Sequence, residues 1–342
     1  MMLEIVDLTA GPASPPILNK LDLSVAEGGR TAVLGPSGVG KTTLLRAISG
    51  LLTPEGGTIR IDGKTVHGPG VDIAPARRRV SLVFQSFALW PHLNAAEHIR
   101  LVNPGGEGPD WLDRLSLGNK GARLPGQLSG GEQARLSLAR ALSSQPRLLL
   151  MDEPFRNLDP VLARELRAEL LGWFEQTGQS VVLVTHDPQE AEYLTDRWCV
   201  LGSEGIAAHN TPDALRANPG SASIAGLFGR VDLLPAEWTA PGRMRTVLGE
   251  VEATGEPDAD SVLVRPEDLH ADPSPGANGV QLEARFRENG RHLLRVTCEG
   301  HVLHATVDAS SLATEFHLRV TRPLRAVRRE SPLHKSTEEP SS

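Results

Sequence analysis

Three short stretches of this chain combine residue types that can handle a phosphate group. The first is GPSGVGKTT, made of Gly35, Pro36, Ser37, Gly38, Val39, Gly40, Lys41, Thr42 and Thr43. It has the spacing GxxxxGK[ST], follows the apolar run TAVL (31–34) and leads into a helix-like run, LLRAISGLL. Glycines so placed let the backbone wrap round phosphates with its N–H groups turned inward. Lys41 is then expected to neutralise the β- and γ-phosphates, and Thr42 to offer its hydroxyl to Mg2+. The second stretch is RLLLMDEP, where a buried-strand pattern ends in Asp152 and Glu153. Adjacent residues on a strand face opposite ways. Asp152 can therefore hold Mg2+ through water while Glu153 polarises the attacking water. The third is VLVTHD, in which His186 closes an apolar run and can reach a γ-phosphate. Gln85, after VSLVF, lies at the carboxyl end of a strand, where ligands of α/β sheets collect. It is a candidate for binding Mg2+ or the attacking water.

A fourth stretch, LSGGEQARLSLARAL (128–142), poses a question. Ser129 is placed as an N-cap and Glu132 completes a capping box, so a helix begins here. Gly130 and Gly131 each cost that helix up to about 1 kcal/mol relative to alanine. Bare N–H groups at a helix start attract anions. This would be a second phosphate site in a chain that already has one.

The elements that position these residues read as an α/β domain. Strand patterns fall at 3–8, 17–25, 31–34, in TIRIDGKTV, and at 80–84, 147–151 and 180–186. The helical patterns between them predict a layered fold with a largely parallel central sheet. From about residue 226 the texture becomes short strand patterns (SVLVRP, GVQLEARF, HLLRVTCE, HVLHATV) separated by Gly, Pro and Asp, which predicts a small β-rich domain. The expected division is 1–225, 226–330 and a disordered tail at 331–342. The 342 residues suit two domains, and a net charge of −7 argues against nucleic acid as the main partner. Cys199 and Cys298 are expected to be reduced, partly buried thiols. MMLEIVDLTAG lacks a basic region followed by an apolar core, so no signal peptide is expected. No apolar run reaches the length of a membrane span, so a role at a membrane would come through a partner.

In order and spacing, GPSGVGKTT, VFQ, LSGGEQ, LLLMDEP, NLD and VTH resemble the ATPase domain of ABC transporters. The resemblance spans about residues 1–225, and LSGGE is its discriminating motif. It implies a P-loop ATPase with a helical subdomain at about 86–145, using ATP and Mg2+. Two such domains would pack head to tail, most simply as a homodimer. Ser129, Gly130, Gly131 and Glu132 would then face the γ-phosphate held by the partner chain, which answers the question above. By the same resemblance Glu153 is the general base, His186 the switch residue, Asp159 a residue of the subunit seam and Gln85 the link to the helical subdomain. No Tyr, Phe or Trp precedes residue 31, so the aromatic that usually stacks on adenine is missing, leaving a proline, an aliphatic side chain or no stacking partner in its place. The stretch from Gln85 to Ser129 is also short for the family, which implies a trimmed helical subdomain.

FALWPHLNAAEHI resembles the segment with which importer ATPases meet a membrane permease, making Trp90 and His92 interface candidates. FGRVDLLPAEW and VLVRPEDLH resemble the TOBE-like β-domain of importers served by a solute-binding protein, with Arg265 and Glu267 as fold or interface residues. GPGVDIAPARRRVSLVFQ is similar to the corresponding region of ferric-iron importers. The resemblance thus implies an ATP-hydrolysing subunit on the cytoplasmic face of the cell membrane, importing iron(III). Polyamine, sugar, sulfate, molybdate and thiamine importers are the alternatives, with a soluble ATPase outside transport behind them.

Overall fold

In the computed structural model the described residues are 1–11, 16–106, 110–156, 158–273, 280–288, 291–307 and 316–327. They form two compact units, Met1–Pro212 and Asp213–Ser342. The division falls ahead of the change in sequence texture near residue 226, because two short helices join the second unit. The expected tail at 331–342 lies outside the described residues.

The first unit begins β1 (Leu3–Ala10), β2 (Leu18–Val25), β3 (Arg30–Leu34), α1 (Lys41–Ser49), β4 (Gly56–Ile61), β5 (Lys64–Gly68), β6 (Val71–Asp72) and β7 (Val80–Val83). It continues through α2 (Ala95–Val102), α3 (Trp111–Arg114), α4 (Gly130–Ser143), β8 (Leu148–Asp152), α5 (Pro160–Thr177), β9 (Ser180–Val184), α6 (Pro188–Leu194), β10 (Arg197–Gly202) and β11 (Gly205–Asn210). One sheet has the order β2-β1-β4-β5-β6 and is antiparallel. The other, β11-β10-β3-β9-β8-β7, is parallel except for its edge strand β11. Strands β8 and β9 are buried at every position, as parallel strands covered on both faces must be. Their residues alternate between two cores. Leu148 and Leu150 pack with α1 and the antiparallel sheet, whereas Leu149 and Met151 pack with α4 and α5. That alternation carries Asp152 to the α1 side.

Between β7 and β8 the longer helices are α2 and α4. Asn94 and Glu97 form the capping box of α2, and α3 has a single turn started by Asp110. Helix α4 is tied to α5 by Arg135, which donates to Glu169 at 2.8 Å. It also grips the loop after β7. Arg140 donates to Ala88 O (2.6 Å) and Phe87 O (3.1 Å), and Ser137 donates to Phe87 O at 3.0 Å. These bonds hold Phe87 and Ala88 in left-handed backbone, with φ of 61° and 46°.

The second unit holds α7 (Pro212–Ala217), α8 (Ala222–Gly226), β12 (Asp232–Pro235), β13 (Glu237–Ala240), β14 (Arg243–Thr246), β15 (Gly249–Gly255) and β16 (Ser261–Val264). Then follow β17 (Leu269–Pro273), β18 (Val280–Glu288), β19 (Arg291–Cys298), β20 (His301–Thr306), β21 (Phe316–Val320) and β22 (Leu324–Val327). The strands form two sheets, β12-β16-β22-β15-β14-β13 and β18-β19-β20-β17-β21, that share one apolar core. Within the unit Arg265 donates to Arg216 O at 3.3 Å, and Glu267 pairs with Arg291 and Arg322. Both residues are therefore engaged in holding the unit together. Cys199 and Cys298 are free thiols, and both are fully buried rather than partly so.

Candidate functional site

Strand β3 delivers the chain into the glycine loop and α1 takes it away, so residues 35–40 form the crossing between a sheet edge and a helix N-terminus. The loop is tight for a steric reason. Gly35 has φ +147°, and a Cβ there would stand 2.5 Å from Leu201 O of β10. Gly40 has φ +109°, and its Cβ would meet Leu18 Cδ2 at 2.6 Å and Ile17 Cγ2 at 2.8 Å. Ser37 and Gly38 at the loop's tip are exposed. Lys41 is buried, and its Nζ donates to Gly35 O and Pro36 O, each at 2.8 Å. Burial pushes the ammonium below its usual pKa, against the pull of Glu153 and Asp152. A triphosphate would supply the counter-charge that these carbonyls replace only in part.

Asp152 ends β8 on the α1 side, where Thr42 Oγ1 donates to its Oδ1 at 3.4 Å. The carboxyl is buried, which raises its pKa, while the Thr42 hydrogen bond works the other way. A hydroxyl and a carboxylate so juxtaposed suit Mg2+, a hard cation that takes one or two protein oxygens and completes its shell with water and phosphate. Among the described residues no cluster of three His, Cys, Asp or Glu side chains offers a closed metal cage, as this mode of binding requires none.

Glu153 follows in a left-handed conformation, φ 46°, which turns the chain out of the sheet. Its N–H bonds to Val184 O (2.9 Å), and its side chain is mostly buried. One carboxylate oxygen lies 3.2 Å from His186 Nδ1, and the other accepts from Arg156 Nη1 at 2.7 Å. His186 stands two residues past β9 rather than on it. It is exposed, yet its loop is anchored on both sides. Thr185 Oγ1 donates to buried Glu190 (2.7 Å) and accepts from the Asp187 N–H (3.0 Å). Gln85 lies half-buried in the turn after β7, next to the segment that α4 grips.

Thus Lys41, Thr42, Asp152, Glu153 and His186, drawn from α1, β8 and the loop after β9, converge on the glycine loop. Ser129, Gly130, Gly131 and Glu132 do not join them through any hydrogen bond or ion pair among the described residues. Ser129 and Glu132 instead complete the capping box of α4, with the Glu132 N–H bonding Ser129 Oγ and the Ser129 N–H bonding Glu132 Oε2. Glu132 also pairs with Lys120, and the hydrogen bonds from Lys120 and from the Ser129 N–H hold its carboxyl below the ordinary range. Asp159 caps α5, accepting from the N–H groups of Val161 (2.9 Å) and Leu162 (3.4 Å). The two glycines differ. A Cβ on Gly130 would meet nothing within 4 Å, whereas one on Gly131 would overlap Leu162 Cδ2 of α5.

Sequence reasoning missed Arg156, Arg140 and His98. Buried His98 accepts from the Trp90 N–H through Nε2 (3.0 Å) and so carries its proton on Nδ1, facing Asn94 O at 2.9 Å. Trp90 is half-exposed beneath the Arg140 guanidinium, 5.0 Å away, and His92 is exposed. A helical i, i+4 match of His98 to Asn94 was the available signal. Arg156 had none, because its contact depends on the backbone conformation of Glu153.

A parallel sheet with a phosphate-binding loop at its carboxyl edge, backed by a paired hydroxyl and carboxylate, defines a nucleotide-binding domain of the P-loop α/β class. Residues 18–156 match the family model described as ABC transporter. The chain is 38% identical over 271 residues to the sulfate/thiosulfate import ATP-binding protein CysA of Caulobacter vibrioides, covering 75% of this chain and 78% of that one. It is 38% identical over 281 residues to the spermidine/putrescine import ATP-binding protein PotA of Methylococcus capsulatus, covering 77% and 72%. Among solved structures, the ATP-binding cassette MJ0796, a dimer in a post-hydrolysis state bound to ADP and Pi, superposes with a TM-score of 0.56 at 29% identity. The match covers 61% of this chain and 98% of that one. This chain belongs to the ABC transporter family of ATP-binding proteins. No helix among the described residues is long and apolar enough to cross a membrane.

Proposed function

We propose that this chain is the ATP-hydrolysing subunit of an importer, acting as a homodimer against permease subunits on the cytoplasmic face of the cell membrane. A solute-binding protein would deliver the cargo, and nucleic acid would have no part. The observation that carries the reading is the convergence of Lys41, Asp152, Glu153 and His186 on one glycine loop from distant parts of the chain. In the mechanism the loop N–H groups from Gly38 to Thr43 bind the phosphates, and Lys41 leaves the Gly35 and Pro36 carbonyls for the β- and γ-oxygens. Thr42 and Asp152, with Gln85, would hold Mg2+, which when bound offsets charge on the β- and γ-phosphates. Glu153 takes the proton of the attacking water, and His186, 3.2 Å from it, would reach the γ-phosphate. Ser129, Gly130 and Gly131 at the start of α4 serve the nucleotide of the partner subunit, with the bare Gly130 admitting a phosphate close to the backbone. Asp159, the N-cap of α5, would stand at the subunit seam. Ile17, 38% exposed beside Gly40, offers the aliphatic face on which the base would rest.

The first unit, Met1–Pro212, would be the ATPase domain, with a helical subdomain at about 86–145 that presents Trp90 and His92 to the permease. The second unit, from Asp213, would be the TOBE-like regulatory domain. For the cargo, the GPG…RRR region favours iron(III), while the names of the two relatives favour sulfate or thiosulfate and spermidine or putrescine. Uptake of radiolabelled ferric iron, sulfate and spermidine is measured in parallel in cells lacking this gene, complemented with the native chain or the Glu153→Gln form. One solute restored by the native chain alone identifies the cargo. Equal uptake of all three in every strain would remove these solutes from the proposal. Purified Glu153→Gln chain is expected to hold ATP as a dimer with hydrolysis reduced by roughly 10²–10⁴-fold.

A further inference from the structure

A carboxylate can act as a base only if a water reaches one of its oxygens in hydrogen-bonding geometry. In this chain Oε2 of Glu153 already accepts from Arg156, and Oε1 has His186 Nδ1 3.2 Å away. The 2.7 Å contact with Arg156 is in the range of a charge-assisted hydrogen bond. It is built into the local backbone, not left to chance encounter. Left-handed Glu153 opens a turn that the Arg156 N–H closes on Glu153 O at 3.3 Å, which returns the arginine side chain to the carboxylate three residues back. The two ends of the pair differ in environment. The Glu153 side chain is 13% exposed and fixed, whereas that of Arg156 is 51% exposed, with Glu153 its one ion-pair partner among the described residues. The guanidinium can therefore leave without disturbing the core. It also stands at the head of the segment that runs through Leu158 to Asp159, the cap of α5.

We propose that Arg156 is a positioning residue that clamps the base in the resting subunit: its guanidinium occupies Glu153 Oε2 and keeps hydrolysis slow until the clamp is displaced. The proposal rests on the reading of Glu153 as the base. When Arg156 moves off, Oε2 is open to the attacking water. The water oxygen then bonds to the γ-phosphorus, its proton passes to Glu153, and the bond to the bridging oxygen breaks with its electron pair going to ADP. The Glu153 side chain is 13% exposed and has His186 beside Oε1, so releasing one oxygen does not set the side chain free.

The test is steady-state ATP hydrolysis by the full-length chain and its Arg156→Gln, Arg156→Lys and Glu153→Gln forms at saturating Mg-ATP. A half-exposed ion pair opposes its own displacement by an amount that corresponds to up to about fivefold in rate. Arg156→Gln is accordingly expected to raise kcat about three- to fivefold with KM unchanged, and Arg156→Lys to return it most of the way to the native value. Salt provides a readout that a merely structural arginine would not move. Shortening the Debye length from about 10 Å towards 3 Å should raise the native rate and leave that of Arg156→Gln flat. If Glu153→Gln is inactive while Arg156→Gln is no faster than the native chain, the clamp is overturned and the base stands. If Glu153→Gln hydrolyses ATP at the native rate, the base falls and the clamp falls with it.

Discussion

Gly130 and Gly131 are adjacent in sequence, yet the structure separates what each is for, and alanine at each position tests the separation. At Gly130 a Cβ meets nothing within 4 Å, and the residue is helical, so alanine is free to bring its better propensity. That is worth up to about 1 kcal/mol in the folded chain. At Gly131 the same gain is opposed by overlap with Leu162 Cδ2. Repacking a crowded contact costs about 1–3 kcal/mol, toward the lower end when, as here, the obstruction is the tip of a flexible side chain. Since the propensity gain is common to both, the two variants should differ by the overlap cost, about 1 kcal/mol, with Gly130→Ala the more stable. For a unit of this size that is a difference in Tm of roughly 2–4 °C, read by thermal unfolding without nucleotide. Function should run the other way for Gly130. In the Glu153→Gln background, Gly130→Ala is expected to weaken the ATP-dependent dimer at least about tenfold by sedimentation, since its methyl occupies the approach to the partner's phosphate. A Gly130→Ala chain that loses stability would refute the steric assignment. One that dimerises with ATP as well as its parent would refute the phosphate contact.

Lys41→Ala should remove the counter-charge for the β- and γ-phosphates and weaken Mg-ATP binding at least about a hundredfold by calorimetry, the loss expected for a buried charged contact of about 3 kcal/mol. Asp152→Asn should abolish hydrolysis while stabilising the nucleotide-free chain at neutral pH. Burial raises the Asp152 pKa in the folded state, so its favourable protonated form is fully present below the unfolded value and is lost as pH rises through the folded one. The stability gap between variant and native chain should therefore close on acidification, as followed by urea unfolding; a gap that widens instead would mean the carboxylate is stabilised where it lies. Burial pushes the Cys199 thiol up to about 12, and Cys298 is raised as well. Neither should react with a thiol reagent in the native chain at mildly alkaline pH, and two thiols per chain should titrate after unfolding. Fast reaction of either before unfolding would contradict the burial.

Local chemistry along the chain was legible from residue order. The glycine loop, the capping box of Ser129 and Glu132, and four strands of the parallel sheet (β3, β7, β8 and β9) each depend on contacts within a few residues and fall close to where spacing predicted, whereas β10 and β11 of the same sheet were not foreseen. The β-rich texture after residue 226 is legible for the same reason, since period-2 burial and turn residues are local. Tertiary structure alone brought Thr42 to Asp152 across 110 positions of sequence, set Leu162 against Gly131 but not Gly130, and bolted the segment after Gln85 to α4 through Arg140. It also turned Glu153 into left-handed backbone, so that Arg156 falls back on the carboxylate. The physical division is between forces that act along the chain and those that act across it. Propensity, capping and phosphate-loop geometry are written in neighbouring residues, whereas which side chain finally meets a buried carboxylate is decided only when the sheet and its helices close upon one another.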